Sequence, residues 1–409
     1  MYHPISRRLM LVGALSIGGT ATADDNSVDT LTEMVTRGKA GLDLRYRYEN
    51  VDEDDFSRNA SAHTLRSRLT LASASFNGVS ALAEVDNVWD FGSDDYNSTE
   101  NGNTRYPVVA DPTGTDLNQL WLRYTGETLV GTGGRQRILH GNQRFIGGVA
   151  WRQNEQTYDG ARLEWRPLEP LKLDLAYVYN VNRIFGPDDG ANPADLEGDN
   201  VFIRVDYTLA ENHTLSGYGY LFDIDDDGPF APSKTVNNSS DTFGIDYSGK
   251  FGRFSLAAAY ATQSDAGDSE LDYDADYYLL EAGANLGPVN LKGGYEVLAS
   301  DNGVGFSTPF ATGHKFQGWA DKFLSTPGDG IEDLYAGLGG KIGPVKLDAI
   351  YHDFQAEDSS EDFGTELDLS ATWPVNNIFT LQAKYASFDS DSDRYADTDK
   401  IWFVMQLKL

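Results

Sequence analysis

Residues 41–73 read GLDLRYRYENVDEDDFSRNASAHTLRSRLTLAS, and this stretch decides the fold. Apolar side chains alternate with charged or polar ones in its first and last parts, which is the period-2 pattern of two β-strands. One face of the predicted hairpin carries Asp43, Arg45, Arg47 and Glu49 from the first strand and Thr64, Arg66, Arg68 and Thr70 from the second. Four arginines on one face cannot form a protein core. The hairpin indicates either a sandwich strand with one wet face or a membrane-barrel strand with lipid outside and water inside.

The composition favours many amphipathic strands. The 409 residues are 40% hydrophobic, with a mean hydropathy of -0.43, and include 42 glycines and 22 tyrosines. No apolar run of about 18 residues follows the N-terminal region, which argues against a transmembrane helix. The formal charge of -31 argues against binding nucleic acid through its phosphates. Because the chain has no cysteine, a disulfide framework, a thiolate metal site and a cysteine nucleophile are excluded.

The first 23 residues have the three parts of a signal peptide. Arg7 and Arg8 give the positive region, residues 9–19 give a short apolar core, and Ala21-Thr22-Ala23 gives a cleavage site of small residues. The alternative is an N-terminal anchor helix, but the apolar core is too short to span a bilayer. We therefore predict an exported chain that begins at Asp24.

Alternating segments of strand length follow one another to the last residue, and about eighteen can be counted. Their connections alternate between tight turns, such as Asn77-Gly78 and Gly343-Pro344, and long acidic loops, such as residues 90–114 and 299–330. Short turns at one rim and long loops at the other are typical of outer-membrane barrels. We predict an all-β chain with a short periplasmic lead over residues 24–40 and one transmembrane antiparallel barrel over residues 41–409. The alternative is a soluble all-β architecture.

Two stretches carry a family resemblance. Residues 134–164, GRQRILHGNQRFIGGVAWRQNEQTYDGARLE, and residues 306–327, FSTPFATGHKFQGWADKFLSTP, resemble signature segments of the alginate export porin family, as do LDLRYRYE and TLRSRL in the opening hairpin. The resemblance implies a monomeric 18-stranded outer-membrane barrel with an electropositive lumen that passes a polyuronate. It also implies that Arg135 and Arg137 of the GRQR motif, together with Arg66 and Arg68, contribute to selectivity.

Strand phase places a set of arginines along one arc of the predicted lumen. The candidates for substrate binding and selectivity are Arg45, Arg47, Arg66, Arg68, Arg123, Arg135, Arg137 and Arg162. Charges in a narrow pore set ion preference because little bulk water screens them, and the arginine fork binds carboxylates through two hydrogen bonds. The alternative is that the arginines pair with neighbouring luminal acids, namely Asp43, Glu49, Glu84 and Asp86, and brace the wall.

The longest loop contains more aromatic residues than a solvated loop requires. We expect it to fold into the lumen as a constriction formed by Phe306, Phe310, Phe316, Trp319 and Asp321. Trp319 and Phe316 would offer stacking surfaces to sugar rings. The alternative is that these aromatic side chains only brace the mouth of the barrel.

The acidic loops suggest a Ca²⁺ site, which the sequence supports only weakly. Asp223, Asp225 and Asp227 match the start of a calcium-binding loop, but Lys234 replaces the glutamate that the motif requires at its twelfth position. A looser divalent site, or divalent bridges to lipopolysaccharide, remains open beside the alternative of solvated charge. No cofactor is otherwise expected. No phosphate-binding glycine loop or zinc spacing occurs, and the six histidines show no pairing with a serine nucleophile.

The sequence thus predicts a passive, non-enzymatic channel for anionic saccharides, such as uronate oligomers, in the bacterial outer membrane. Its expected partners are outer-membrane lipid, lipopolysaccharide and an anionic oligo- or polysaccharide, with no nucleic acid, and it is expected to be a monomer. One alternative is a general diffusion porin for small solutes. Another is a structural or adhesive barrel whose acidic loops bind surfaces.

Overall fold

A computed structural model describes residues 27–92, 94–225 and 239–409. The predicted signal peptide and Asp227 lie outside these residues. Eighteen long strands within the described ranges form one closed sheet. They are β1 Lys39–Glu53, β2 Ala60–Ala72, β3 Val79–Asp90, β4 Gly114–Thr125, β5 Leu129–Gln136, β6 Thr157–Leu168, β7 Leu171–Asn182, β8 Asp195–Ala210, β9 His213–Phe222, β10 Ser240–Phe251, β11 Phe254–Asp265, β12 Asp274–Asn285, β13 Val289–Leu298, β14 Ile331–Ile342, β15 Val345–Gln355, β16 Asp362–Pro374, β17 Phe379–Ser390 and β18 Thr398–Lys408.

Each long strand pairs antiparallel with the next along the chain, and β18 pairs antiparallel with β1. The last pairing closes the barrel and leaves no open edge. The predicted all-β barrel and its eighteen strands are therefore confirmed. The opening hairpin pairs Asp43 with Arg68 and Arg45 with Arg66, so its arginines do share one face.

The connections alternate in length as the sequence predicts. Turns at one rim are as short as residues 169–170 between β6 and β7 and residues 211–212 between β8 and β9. The other rim carries residues 91–113, 137–156 and 299–330. Glycine is needed in one of the short turns, because Gly78 has φ +81° and a Cβ there would lie 2.7 Å from the Thr125 carbonyl oxygen.

The outer surface of the barrel is apolar. On β4, Leu120, Leu122 and Tyr124 are all exposed, whereas Gln119 points inward and is buried. A band of exposed leucine, tyrosine, tryptophan and phenylalanine side chains continues over the other strands. Such a band is the surface that a barrel presents to lipid.

A short helix and a few small elements complete the fold. Strand Ser27–Val28 pairs in parallel with Ser75–Phe76, and helix α1, Leu31–Thr36, follows it with Thr30 as N-cap. No helix in the described part of the chain is long and apolar enough to cross a membrane. Strand β1 begins at Lys39, which pairs with Ala72 of β2. Residues 299–330 contain the hairpin Ser300–Asp301 and Val304–Gly305 and a 3-10 turn, Gly313–Lys315.

Candidate functional site: a lumen narrowed by two loops

Two connections at the long-loop rim turn into the barrel and are hydrogen-bonded to each other. We call residues 137–156 the first inward loop and residues 299–330 the second inward loop. The Gly147 amide donates to the Phe310 carbonyl oxygen at 2.8 Å. The Arg144 guanidinium donates to the side chain of Gln317 at 3.0 Å. The two loops therefore form one structural unit inside the barrel.

The second inward loop is fixed to the wall by buried aromatic rings. Phe306 and Phe310 have no exposed surface, and Phe310 lies 4.7 Å from Phe222 of β9 between ring centroids. Phe323 packs 4.8 Å from Phe354 of β15. The contribution of such aromatic pairs is about 0.5–1.5 kcal/mol each beyond the area they bury. This segment therefore lies within the lumen.

The faces of Trp319 and Phe316 already carry protein cations. The Lys384 ammonium lies 3.7 Å from the ring centre of Trp319, and the Arg144 guanidinium lies 4.8 Å from that of Phe316. These are cation–π contacts, which strengthen when the cation is removed from water. The faces that the sequence suggested for sugar rings thus take part in holding the second inward loop.

A buried network joins the second inward loop to β17 and to the first inward loop. His314 stacks on Trp151 with ring centroids 4.6 Å apart, and its Nε2 accepts from Lys384 at 2.6 Å. The Asp321 carboxylate accepts hydrogen bonds from His314 Nδ1 at 2.8 Å and from Arg152 at 3.1 Å. Burial lowers the pKa of His314 to about 3, so the ring is neutral at pH 7. A neutral ring can accept the Lys384 hydrogen bond.

The carboxylate of Glu366 on β16 binds backbone amides of the second inward loop. It accepts the Ala320 amide at 2.7 Å and also the Trp319 amide. Gly318 allows this approach, since it has φ +79° and a Cβ there would lie 2.2 Å from a Glu366 carboxylate oxygen. Asp368, two residues further along the strand, is completely buried and lies 3.8 Å from His352 Nε2.

The arginines of the opening hairpin lie beneath the first inward loop. Arg45 donates to the Gln153 side chain at 3.0 Å and to the Ala150 carbonyl oxygen at 2.9 Å. Arg47 donates to the Trp151 carbonyl oxygen at 2.6 Å and to Glu49 at 2.8 Å. These two side chains bind loop backbone and are almost fully buried.

The neighbouring strand adds ion pairs. Arg66 pairs with Asp43 at 3.1 Å. Arg68 donates to Asp86 at 2.7 Å and pairs with Glu155 of the first inward loop at 3.3 Å. Burial opposes the ionisation of Glu155, but the positive charges of Arg68 and Arg137 outweigh it and hold the pKa of Glu155 below its usual range.

The other predicted arginines complete one arc, which we call the arginine wall and which comprises Arg45, Arg47, Arg66, Arg68, Arg123, Arg135, Arg137 and Arg162. Arg135 forms a bidentate pair with Asp159 at 2.8 and 2.9 Å, and Arg162 forms one with Asp174. Arg137 contacts both Glu84 and Glu155. Arg123 differs, since its described contacts are with Thr132 and the ring of Trp121.

Most of the arginine wall is therefore paired with carboxylates, and the four acids that strand phase placed beside it all take part. These are Asp43, Glu49, Glu84 and Asp86. Arg135 and Arg137 remain the most open of the paired arginines in the arginine wall, with 22% and 28% of their side-chain surface exposed.

A cavity of about 550 Å³ lies on the other side of the lumen. The segment His140–Phe145 of the first inward loop borders it at one end, and Pro170 in a short turn borders it at the other. Its polar centre spans β8, β9 and β10. There Arg204 donates to Asp206 at 2.8 Å and to Asp246 at 2.7 Å, and Ser216 donates to Asp206 at 2.8 Å.

The acidic loops contain no assembled cation site in the described part of the chain. No group of three or more histidine, aspartate or glutamate side chains among residues 27–92, 94–225 and 239–409 could hold a metal ion. Asp223 and Asp225 fall within these ranges, whereas Asp227 does not.

Sequence reasoning missed the residues that join the loops to the wall. They include Arg144, Arg152 and Glu155 of the first inward loop, His314 of the second, and the carboxylate of Glu366. Strand periodicity could not find the loop members. The available signal was the family-like character of residues 134–164 and 306–327, which contain four of the five.

A closed barrel with an apolar outer surface and a polar lumen narrowed by inward loops defines a porin-type channel of the bacterial outer membrane. The alginate export family model matches residues 37–296, and a Gram-negative porin model matches residues 204–405. The chain belongs to the alginate export family. The resemblance and the location in the bacterial outer membrane are thereby confirmed.

Solved structures show the same fold at low sequence identity. OpdO of Pseudomonas aeruginosa is 15% identical, with a TM-score of 0.67 over 92% of this chain and 98% of that one. OccAB4 of Acinetobacter baumannii is 14% identical, with a TM-score of 0.70 over 91% and 98%. OpdK of Pseudomonas aeruginosa, solved with vanillate, is 13% identical, with a TM-score of 0.69 over 92% and 99%. A search of curated protein sequences gave no match.

Proposed function

We propose that this barrel is a passive channel for small anionic saccharides of the size of uronate oligomers. Membership of the alginate export family supports the saccharide class. The size limit is inferred from the two inward loops, which are bonded to each other and to the wall and so narrow the lumen. The resemblance to the alginate export family implies a monomer, and membership of that family supports it.

The observation that carries the anionic preference is the position of Arg135 and Arg137. Both belong to the GRQR motif, and both are partly exposed where β5 meets the first inward loop. Their carboxylate partners reduce the positive field but leave N–H donors near the water of the lumen. An arriving carboxylate can use these donors without displacing the buried arginines.

Planar bilayers test the proposal. Replacing both Arg135 and Arg137 by alanine is expected to shift the reversal potential in a KCl gradient toward cations, since two positive charges leave a narrow lumen. Lys346→Ala is the matched control, because this luminal lysine is 43% exposed and lies on β15, outside the arginine wall. Equal reversal potentials in the wild type and the double variant would contradict the proposal.

The pairing of the arginine wall favours one second candidate, a general diffusion porin for small solutes. If buried ion pairs cancel the field of the wall, the channel has little charge preference. Block of single-channel current separates the two candidates. Trigalacturonate blocks a saccharide channel at concentrations where maltotriose does not, whereas a general porin passes or ignores both.

A further inference from the structure

We propose that the cavity between the first inward loop and strands β8–β11 binds one or two saccharide units through their hydroxyl groups, with a uronate carboxylate directed toward Lys172. The inference rests on the proposed function and adds a binding site to it. The cavity volume of about 550 Å³ is within the range of small-molecule sites. It extends from the loop that narrows the lumen to a short turn at the opposite rim, so it lies beside the solute path.

The polar centre of the cavity presents fixed hydrogen-bond acceptors. Arg204 holds the carboxylates of Asp206 and Asp246 in place, yet 29% and 27% of these side chains stay exposed. Each carboxylate accepts about four hydrogen bonds, and the described contacts use fewer. The remaining lone pairs match the hydroxyl groups of a pyranose ring. Because the carboxylates are already oriented, a sugar meets acceptors that need no rearrangement.

Small side chains on the adjoining strands create the space. Ala257 and Ala259 of β11 lie opposite Ser248 and Asp246 of β10, and all four line the cavity. Gly244 of β10 has the same effect, since a Cβ there would lie 2.3 Å from the ring of Tyr218. The Tyr218 ring can therefore lie flat against the barrel wall. Larger residues at these positions would fill the volume that a sugar needs.

Lys172 supplies the charge that distinguishes a uronate from a neutral sugar. Its Cα lies opposite that of Asp206 in the strand register, and its side chain is 23% exposed. Glu164 and Asp174 contact its ammonium at 2.8 and 3.1 Å. Arg166 lies exposed at the same end of the cavity. A carboxylate entering from the short-turn rim therefore meets two cations before it reaches the first inward loop.

The buried part of the arginine wall is less suited to this role. Arg47 and Arg66 are only 1% and 2% exposed, and a sugar could reach them only if the first inward loop moved away. Asp206 and Asp246 need no such movement. The cavity is thus the place where fixed polar groups and open volume coincide.

Filling the cavity is the first test. Ala259→Leu is expected to weaken block of single-channel current by trigalacturonate at least about tenfold, because the new side chain occupies the space of a sugar ring. Ala282→Leu is the matched control, since Ala282 lies exposed on the outer face of β12. Slower migration after heating in SDS gels shows that both variants fold.

Removing single polar groups is the second test. Asp246→Asn is expected to weaken block by trigalacturonate and by a high concentration of maltotriose by a similar factor of about five, since both sugars present hydroxyl groups. Lys172→Gln is expected to weaken block by trigalacturonate alone, by about the same factor. Lys346→Gln serves as the control for loss of a luminal positive charge.

The outcomes separate the site from the function. If trigalacturonate blocks the wild type and all three cavity variants equally, the site is overturned and the channel function stands. If Lys172→Gln affects both sugars alike, the direction of the carboxylate is wrong and the proposal is overturned in that form. If trigalacturonate fails to block the wild type, the site is overturned. The reversal potential of the Arg135 and Arg137 double variant then decides independently whether the channel prefers anions.

Discussion

The two sides of the lumen place arginine in different surroundings. On one side, Arg45 and Arg47 lie under the first inward loop and donate to its backbone. On the other, Arg204 holds two carboxylates that face open volume. In the first case arginine orders protein, and in the second it orders groups that a solute can reach. A luminal arginine is therefore not by itself a selectivity residue, because its function depends on what covers it.

The largest expected effect comes from uncovering the arginine wall. Glu155→Gln removes a negative charge that both Arg68 and Arg137 contact, so each arginine loses one ion pair. Breaking one side of a buried ion pair costs about 3–5 kcal/mol, so the first inward loop should dock less tightly. Unit conductance and anion preference in planar bilayers are both expected to rise.

The control for this experiment is Glu164→Gln. Glu164 pairs with Lys172 at 2.8 Å and is 26% exposed, so its loss should leave the first inward loop docked. Unchanged conductance and reversal potential in Glu155→Gln would show that the arginine wall is not held by this carboxylate.

The second experiment changes the sign of the effect. Arg204→Gln removes the cation between Asp206 and Asp246, so the cavity side becomes more acidic and the reversal potential should shift toward cations. The shift is expected to be smaller than that of Glu155→Gln, because Asp206 and Asp246 are partly solvated and water screens them. A shift toward anions would contradict the assignment of roles to the two sides.

Acid should weaken the contact between the two inward loops. Because the pKa of His314 is about 3 in the folded protein and 6.5 ordinarily, the released loop binds a proton that the docked loop excludes. The contribution of His314 to docking of the two inward loops is therefore fully present above pH 6.5. It becomes smaller as the pH falls from 6.5 toward 3. Tryptophan fluorescence reports this, since Trp151 stacks on His314.

His314→Gln separates this residue from other acid-sensitive groups. The variant is expected to lose the fluorescence change between about pH 6 and pH 4, because glutamine does not titrate there. If the wild type and the variant show the same change over this interval, His314 is not the group that responds.

The smallest effect is expected outside the lumen. Arg394 bridges Asp329 and Glu361 at the long-loop rim, but its side chain is 40% exposed. Exposed pairs contribute about 0–1 kcal/mol, so Arg394→Gln should lower the melting temperature only slightly and leave the reversal potential unchanged. A large change in selectivity would mean that rim charges, rather than the two luminal sides, control the channel.

The barrel could be predicted from the sequence because its strands repeat a local rule. Alternation in residues 41–73 predicted which side chains share a face of the sheet. The alternating connection lengths predicted one rim of short turns and one rim of long loops. The pairs Arg66–Asp43 and Arg68–Asp86 follow from the same phase, since each joins neighbouring strands. These predictions needed no knowledge of distant contacts.

The interior of the lumen could not be predicted in this way. Arg68 also pairs with Glu155, which lies 87 positions away on a loop without periodicity. The path of the two inward loops through space also determines which backbone groups lie over Arg45 and Arg47. It likewise determines the cation–π contacts of Trp319 and Phe316. Their positions follow from packing and hydrogen bonding between remote segments, to which strand phase gives no access.

The seam between β1 and β18 has a consequence for assembly. It brings Gln406 to within 3.0 Å of the Asp43 carboxylate, although 363 positions separate them. A growing chain cannot form this contact until its last strand exists, and contacts of such separation form slowly. Until then both sheet edges offer unpaired backbone groups to any other chain. Closure therefore requires both terminal strands of the barrel, and until it occurs the unfinished barrel must be kept from pairing with its neighbours.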